Sequence, residues 1–321
     1  MSSRRSHADP DRPLPDAPPP GPASVAAVVV TFHPGPGFTS RLASLVAQVG
    51  TIVVVDNGSC VTDLPGDEEP TLRDQMEVIA NAQNRGVAAA LNQGMRRAQE
   101  RGLSWALTMD QDSSPLPNLV DAGARAFEAC PDRNRIAAIG AAVVGAEDPA
   151  SPAVSSSAYR RIPAVITSGT LHSIAAWERL GGFREDYFID CVDTEFCLRA
   201  HARGLQVIAA TEPALVHGIG TPSHKRALGR WMMPTNHSPL RRYYMTRNRL
   251  SFWRRYARSD GRFVLMDMRQ SIREWIGIAF AESDRPAKFR AILAGSRDAV
   301  LRRYGPRRLP KSPHQAPAGN R

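Results

Sequence analysis

A doubly wound α/β sheet, mostly parallel, is the fold this sequence predicts, and three observations predict it. Val25-Ala-Ala-Val-Val-Val-Thr-Phe32 and Thr51-Ile-Val-Val-Val55 are continuous, largely β-branched runs without polar alternation, as strands covered on both faces require. Segments with apolar residues at helical spacing separate such runs, which is the βαβ pattern. Polar residues Asp56, Asn84 and Asp110 then fall where strands end, and the carboxyl ends of parallel strands form a binding crevice.

Taken in order, the first strand is broken by His33-Pro-Gly-Pro-Gly37, and residues 38–49 place Phe38, Leu42, Leu45, Val46 and Val49 on one helical face. The second strand stops on Asp56-Asn-Gly-Ser59. Residues 76–80 read as a third strand, 87–101 as a helix, and 104–109 as a strand that runs into Asp110. Residues 117–130 are helical in pattern and 136–144 make another buried strand. Residues 145–163, rich in Pro, Ser and Ala, predict a loop before a mixed region that closes around Val216-His217.

A chain of 321 residues with 42% hydrophobic content has room for one large α/β domain and an extension. Residues 1–24 are rich in Pro, Ser and charge without an apolar run, which predicts a disordered tail and not a signal peptide. The best membrane-spanning candidate, residues 263–281, is interrupted by Asp267, Arg269, Arg273 and Glu274, so no span is expected. Cys60, Cys130, Cys191 and Cys197 show no paired spacing, which predicts free, mostly buried thiols and a cytoplasmic protein. Residues 221–321 hold 23 Lys and Arg against 6 Asp and Glu, a balance of +17, while the other 220 residues balance −7. An acidic domain over 25–220 and a basic, mainly helical extension over 221–321 with a disordered end are therefore expected. So cationic a block wants phosphate groups, on nucleic acid, anionic lipid or a pyrophosphate-bearing substrate.

Leu107-Thr-Met-Asp-Gln-Asp-Ser113 carries the most chemistry. A strand ending on Asp110 and Asp112 offers two hard oxygen ligands to a divalent cation, although Asp-x-Asp followed by Ser113, Ser114 and Pro115 also suits a helix N-cap. Asp56-Asn-Gly-Ser59 is likewise a good turn, and Asn84 with Gly86 a helix start.

Val30-Thr-Phe-His-Pro34, Val54-Val-Asp-Asn-Gly-Ser59, Asn84-Arg-Gly-Val-Ala-Ala-Ala-Leu-Asn92, Asp110-Gln-Asp-Ser113, Thr167-Ser-Gly-Thr-Leu171 and the run 182–199 resemble, in order and approximate spacing, the inverting family 2 glycosyltransferases. Within that family Asp-Gln-Asp-Ser and Phe-Ile-Asp-x-Val-Asp-x-Glu most resemble bacterial rhamnosyltransferases that use dTDP-L-rhamnose. The resemblance covers roughly residues 25–250. It implies a GT-A fold, with Thr31, Asp56, Asn84, Gly86 and Asp110 binding the nucleotide sugar. It further implies that Asp110, Asp112 and His217 hold Mg²⁺ or Mn²⁺, which would offset charge on the leaving diphosphate. A lone His after an apolar strand is also a common structural residue. Asp193 is implied as the general base for the acceptor hydroxyl, with Asp190 and Glu195 as acceptor contacts or supporting residues; Asp193 and Glu195 also suit the start of a helix. Arg247, in Tyr243-Tyr-Met-Thr-Arg-Asn248, is implied to meet a phosphate, the alternative being a solvated arginine face.

The leading expectation is transfer of L-rhamnose to a glycan on polyprenyl pyrophosphate, by a protein peripheral on the inner face of the plasma membrane. Another UDP- or dTDP-sugar donor is the alternative. A nucleic-acid-binding protein with a Rossmann-like core would explain the arginines but would leave Asp110, Asp112 and Asp193 without a role, so no nucleic acid partner is expected.

Overall fold

The computed structural model describes residues 12–59, 70–144, 157–217, 225–227, 230–232 and 236–307. Chain contacts divide it into two units, Met1–Arg184 with Val192–Gly218, and Glu185–Cys191 with Ile219–Arg321.

The first unit runs β1 (Val25–Thr31), α1 (Phe38–Ala43), β2 (Thr51–Asp56), α2 (Pro70–Gln75), β3 (Met76–Ala80), α3 (Val87–Glu100), β4 (Trp105–Asp110), β5 (Ser113–Pro115) and α4 (Leu119–Ala129). It continues through β6 (Ile136–Val143), β7 (Tyr159–Arg161), β8 (Thr170–Ser173), α5 (Ile174–Leu180), α6 (Val192–His201) and β9 (Gln206–His217). The strands form one sheet in the order β3-β2-β1-β4-β8-β6-β9-β5, with β7 also on β9. Its first half, β3-β2-β1-β4, is parallel as expected, with Val30 standing between Val55 and Asp110. The second half is mixed, because β8 enters antiparallel between β4 and β6 while β6 and β9 run parallel. The centre of the layer is buried on both faces: Val25, Val28, Ile52, Val54 and Leu107 are fully enclosed, which is why β1, β2 and β4 carry no polar alternation.

Three expectations change here. The helix expected over 38–49 ends at Ala43, and shorter bonds such as Leu45 N–H to Leu42 O carry the chain onward, yet Phe38, Leu42, Leu45 and Val49 are buried as the spacing required. Ser113-Ser-Pro115 is a strand and not a helix cap; it pairs antiparallel with the end of β9. Residues 12–24, expected as disordered tail, lie on the first unit: Leu14 is buried and its N–H donates to Asn134 O at 2.7 Å, while Trp105 Nε1–H donates to Pro18 O at 2.8 Å. Residues 1–11 and 308–321 lie outside the described residues, as does Cys60; the other three cysteines are in no disulfide, with Cys130 and Cys197 buried.

The second unit comprises a short turn over 185–191, a hairpin of β10 (Lys225–Ala227) and β11 (Arg230–Met232), and helices α7 (Pro239–Tyr256), α8 (Gly261–Ala281) and α9 (Arg285–Val300). Ser238 caps α7 by accepting from Arg241 N–H, with Pro239 at the first helical position. Among the described residues no helix is long and apolar enough to cross a membrane.

Candidate active site

The carboxyl ends of β1, β2 and β4 stand side by side, so the sheet register alone gathers Thr31, Asp56 and Asp110. Gln111, between the two aspartates, locks this edge. Its Oε1 accepts from Thr31 Oγ1–H at 2.9 Å and from Phe32 N–H at 2.7 Å, and Arg41 Nε–H donates to its carbonyl at 2.8 Å. Thr31, expected to bind the nucleotide sugar, is buried, and its hydroxyl donates to Gln111, which braces the strand end.

Asp56 is buried at the end of β2, and its Oδ1 accepts from Ser59 N–H at 3.1 Å and Ser59 Oγ–H at 2.6 Å. Ser59 Oγ in turn accepts from His33 N–H at 2.7 Å, tying the β1 and β2 loops together. Asn57 extends the lattice, donating to Asn84 Oδ1 at 3.1 Å and accepting from Arg85 N–H at 2.9 Å; Asn81 and Gln93 exchange two further amide bonds. Gly58, at φ 99°, makes this possible: a Cβ there would come within 2.7 Å of Asn84 N. Gly86 adopts φ 88°, ψ 157°, an arrangement reserved for glycine, as α3 starts and its N–H reaches Asn84 Oδ1. Asn57, Asn81, Gln93 and Gln111 went unseen in the sequence because side-chain amides announce themselves only through their spatial partners.

Asp110 is half-buried and Asp112 exposed at the end of β4. Of His217 only the backbone is described, and the register sets it opposite Ser113, beside Asp112 in sequence. Among the described residues no three His, Cys, Asp or Glu side chains gather as a metal cluster. The donor chemistry nonetheless fits: two carboxylates at a sheet edge are hard oxygen ligands of the kind that Mg²⁺ or Mn²⁺ takes.

Thr167 and Ser168 join this edge to the start of α6. Ser168 Oγ accepts from Asp110 N–H at 3.3 Å, and Thr167 N–H donates to Asp193 Oδ2 at 3.1 Å. Thr108 Oγ1–H donates to Thr167 O at 2.5 Å, which pins the dipeptide to β4. Asp110 and Asp193, 83 residues apart, thus flank one dipeptide.

Two other expected residues do different work. Glu195 is fully buried and pairs with Arg199 at 2.8 Å, one helical turn on, so it has no route to an acceptor and anchors α6 instead. Arg247, in the second unit, is also fully buried. Its guanidinium donates to Gly305 O at 2.7 Å, Asp186 O at 3.0 Å and Tyr187 O at 2.9 Å, and lies over the rings of Tyr243, Tyr244 and Tyr304. A guanidinium so committed is an architectural clamp, not a phosphate fork. Asn248 completes it by donating to Tyr187 O, Ile189 O and Asp190 O. These bonds hold a turn in which Phe188, Asp190 and Cys191 all have positive φ, between 61° and 67°. Asp190 itself pairs with Arg241 at 2.6 Å.

Comparison with known proteins shows the family and the fold. The sequence model described as Glycosyl transferase family 2 matches residues 27–145. The dTDP-rhamnosyl transferase RfbF of Shigella flexneri is 30% identical over 245 residues, 70% of this chain and 78% of that protein. Two solved structures share the fold. The mannosyltransferase PcManGT from Pyrobaculum calidifontis, in complex with GDP-Man and Mn²⁺, has a TM-score of 0.51 at 18% identity over 91% of this chain and 79% of its own. GalNAc-T7 with UDP, GalNAc and Mn²⁺ has a TM-score of 0.53 at 14% identity over 77% of this chain, which spans only 49% of it.

Proposed function

Because the chain belongs to glycosyl transferase family 2, we propose that it is an inverting transferase that moves L-rhamnose from dTDP-L-rhamnose to a glycan carried on polyprenyl pyrophosphate at the inner face of the plasma membrane. One observation carries the mechanistic part: Thr167-Ser168 holds the carboxylate of Asp193 on one side and the main chain of Asp110 on the other. A metal-binding strand end and a base are thereby held by one short segment, as direct displacement needs leaving group and nucleophile held in one geometry.

In this reading Asp56, Asn84 and Gly86 shape the nucleoside pocket, with Gln111 and Asn57 keeping its loops in register. Asp110 and Asp112, with His217, hold Mg²⁺ or Mn²⁺, which when bound supplies positive charge to the departing nucleoside diphosphate. Asp193 takes the proton from the acceptor hydroxyl as that oxygen attacks the anomeric carbon, its carboxylate kept in one orientation by Thr167 N–H. Asp190, paired with Arg241, is the remaining candidate for acceptor contact. The donor assignment is supported by the identity with the Shigella flexneri dTDP-rhamnosyl transferase. The acceptor class and the membrane location are supported by the basic balance of residues 221–321.

The test is a panel of nucleotide sugars with Mg²⁺ or Mn²⁺, following nucleoside diphosphate release with and without a polyprenyl-pyrophosphate glycan and reading product configuration by NMR. Inverted product from dTDP-L-rhamnose alone is expected. A retained configuration, or preference for a UDP-sugar, overturns the mechanism or the donor respectively.

A further inference from the structure

We infer that the face of α8 carrying Leu265, Met268, Ile272, Ile276 and Phe280 is the surface by which this protein docks on an anionic lipid bilayer. Steps of three and four place these residues along one side of the helix, and each is between 40% and 53% exposed. Isolated exposed apolar residues are ordinary, but a continuous stripe running most of a 21-residue helix marks an interaction surface.

Charge says what the stripe meets. Arg262, Arg269 and Arg273 are exposed on the same helix. Its two acids are turned inward and neutralised: Glu274 accepts from Arg242 at 3.0 Å and from both arms of Arg249 at 2.9 and 3.0 Å, and Asp267 accepts from Trp253 Nε1–H at 2.7 Å. The outward face of α8 thus bears apolar side chains and arginines and not one carboxylate. An apolar stripe beside cations that can reach headgroup phosphates is how a helix lies in a membrane interface. A second copy of this chain suits the face less well. A two-fold contact would bring the same arginines together with no anion opposite. The charge pattern also explains why residues 263–281 came nearest to a membrane span in the sequence: they lie along the bilayer and do not cross it.

This docking rests on the reading above that the acceptor is membrane-borne, and the experiment separates the two. The full chain is sedimented with vesicles of phosphatidylcholine alone or mixed with phosphatidylglycerol, for wild type, Ile272→Asp/Ile276→Asp and Arg269→Gln/Arg273→Gln. Acceptor-independent release of nucleoside diphosphate in solution is the folding and function control. Wild type should prefer the anionic vesicles. The arginine variant should lose roughly five-fold per arginine on those vesicles only, and the isoleucine variant should lose binding to both, with hydrolysis unchanged throughout. Equal binding by wild type and the isoleucine variant overturns the proposal, as does equal binding of wild type to both vesicles. So does a dimer abolished by Ile272→Asp/Ile276→Asp in a protein that binds neither vesicle. Absent hydrolysis with intact docking instead condemns the transferase reading and leaves the surface standing.

Discussion

The two units keep their charges in opposite places. In the first, the strands β1, β2 and β4 are uncharged along their length and their carboxylates, Asp56, Asp110 and Asp112, appear only where these strands end. In the second, charge is buried among the apolar and aromatic side chains. Arg242 bridges Glu274 and Glu282, Lys288 joins Glu282 at 2.8 Å, Asp298 takes Tyr243 Oη–H at 2.8 Å together with Arg307, and Arg247 sits fully enclosed among carbonyls. Such buried pairs add little over apolar packing, but removing one partner leaves a charge stranded. A carboxylate at the ends of β2 and β4 therefore speaks of chemistry, and a buried charge in the second unit of architecture, as does the buried Glu195–Arg199 pair of the first. The same residue type carries a different meaning according to whether it stands at a strand end or inside a packed helix layer.

The largest effect that tests this contrast is on turnover. Asp193→Asn keeps the volume and one of the two oxygens that accept from Thr167 and Thr194 N–H, while removing proton acceptance. It should cut transfer by roughly 10²–10⁴-fold with donor affinity and Tm nearly unchanged. Steady-state transfer measured beside donor titration and thermal melting checks it. Near-wild-type turnover would remove the base from the first unit and with it half of the comparison.

Arg247→Lys should behave in the reverse way. An ammonium cannot reach the three carbonyls that the planar fork satisfies, and each acceptor left bare costs roughly 1–3 kcal/mol. Denaturant unfolding should show that loss, while donor affinity in the folded protein stays within about two-fold, well under the 1.4 kcal/mol that a tenfold change represents. A weakened donor Kd without a stability change would restore Arg247 to the phosphate-binding role that its sequence context suggested.

That residue also marks how far the sequence could be read. The strands β1, β2, β4 and β6 were legible because burial on both faces writes itself as nearly unbroken apolar composition, whereas β3, half-buried and carrying Glu77, shows it only in part. β5 and β8 were not: Ser113-Ser-Pro115 and Thr170-Leu-His-Ser173 are short and partly polar, and they are strands because β9 and β4 supply their partners. In the site, Asp56 and Asp110 were visible as carboxylates ending strands, and Asp193 through its family block. Gln111 and the Asn57, Asn81 and Gln93 lattice were not, since nothing in a chain distinguishes a bonded amide from a solvated one. The arginines of α7 declared their sign but not their direction, and direction is what separates a clamp from a ligand site.

Acid should open the two units in different windows. His172 is buried between Phe183 and Phe196, and burial pushes its imidazole down to about 3 from an ordinary 6.5. The unfolded chain then binds a proton that the fold refuses, so stability falls as pH drops below about 6.5 and continues to fall toward 3, by about 1.4 kcal/mol per pH unit. Burial alone would raise Glu282, but Lys288 and Arg242 outweigh it and hold that carboxyl below its ordinary 4.5, so its contribution is lost only as pH falls below that value. Between pH 6.5 and 4.5, His172→Leu should therefore flatten the stability curve, while Glu282→Gln should leave its slope in place. An unchanged slope in His172→Leu would mean that the first unit contains no such acid-sensitive point.

The smallest effect concerns an ion pair that the first unit does display. Arg125 of α4 meets Glu212 of β9 through Nη2 at 2.5 Å and Nε at 3.1 Å, and Asn118 Nδ2–H reaches the other oxygen at 2.7 Å. Asn118 first and Arg125 second hold the Glu212 carboxyl below its ordinary range. Both side chains of the pair are 48% exposed, so water competes for each charge and salt screens them. A double-mutant cycle with Arg125→Gln and Glu212→Gln should return about 0.2–1 kcal/mol at low ionic strength and less in high salt. The matching cycle on Arg242 and Glu282, whose side chains are only 3% and 2% exposed, should return a larger coupling that salt barely moves. If the two couplings prove alike in size and in salt response, burial is not what divides the units, and the geometry of the fork on Glu212 would have to carry the difference.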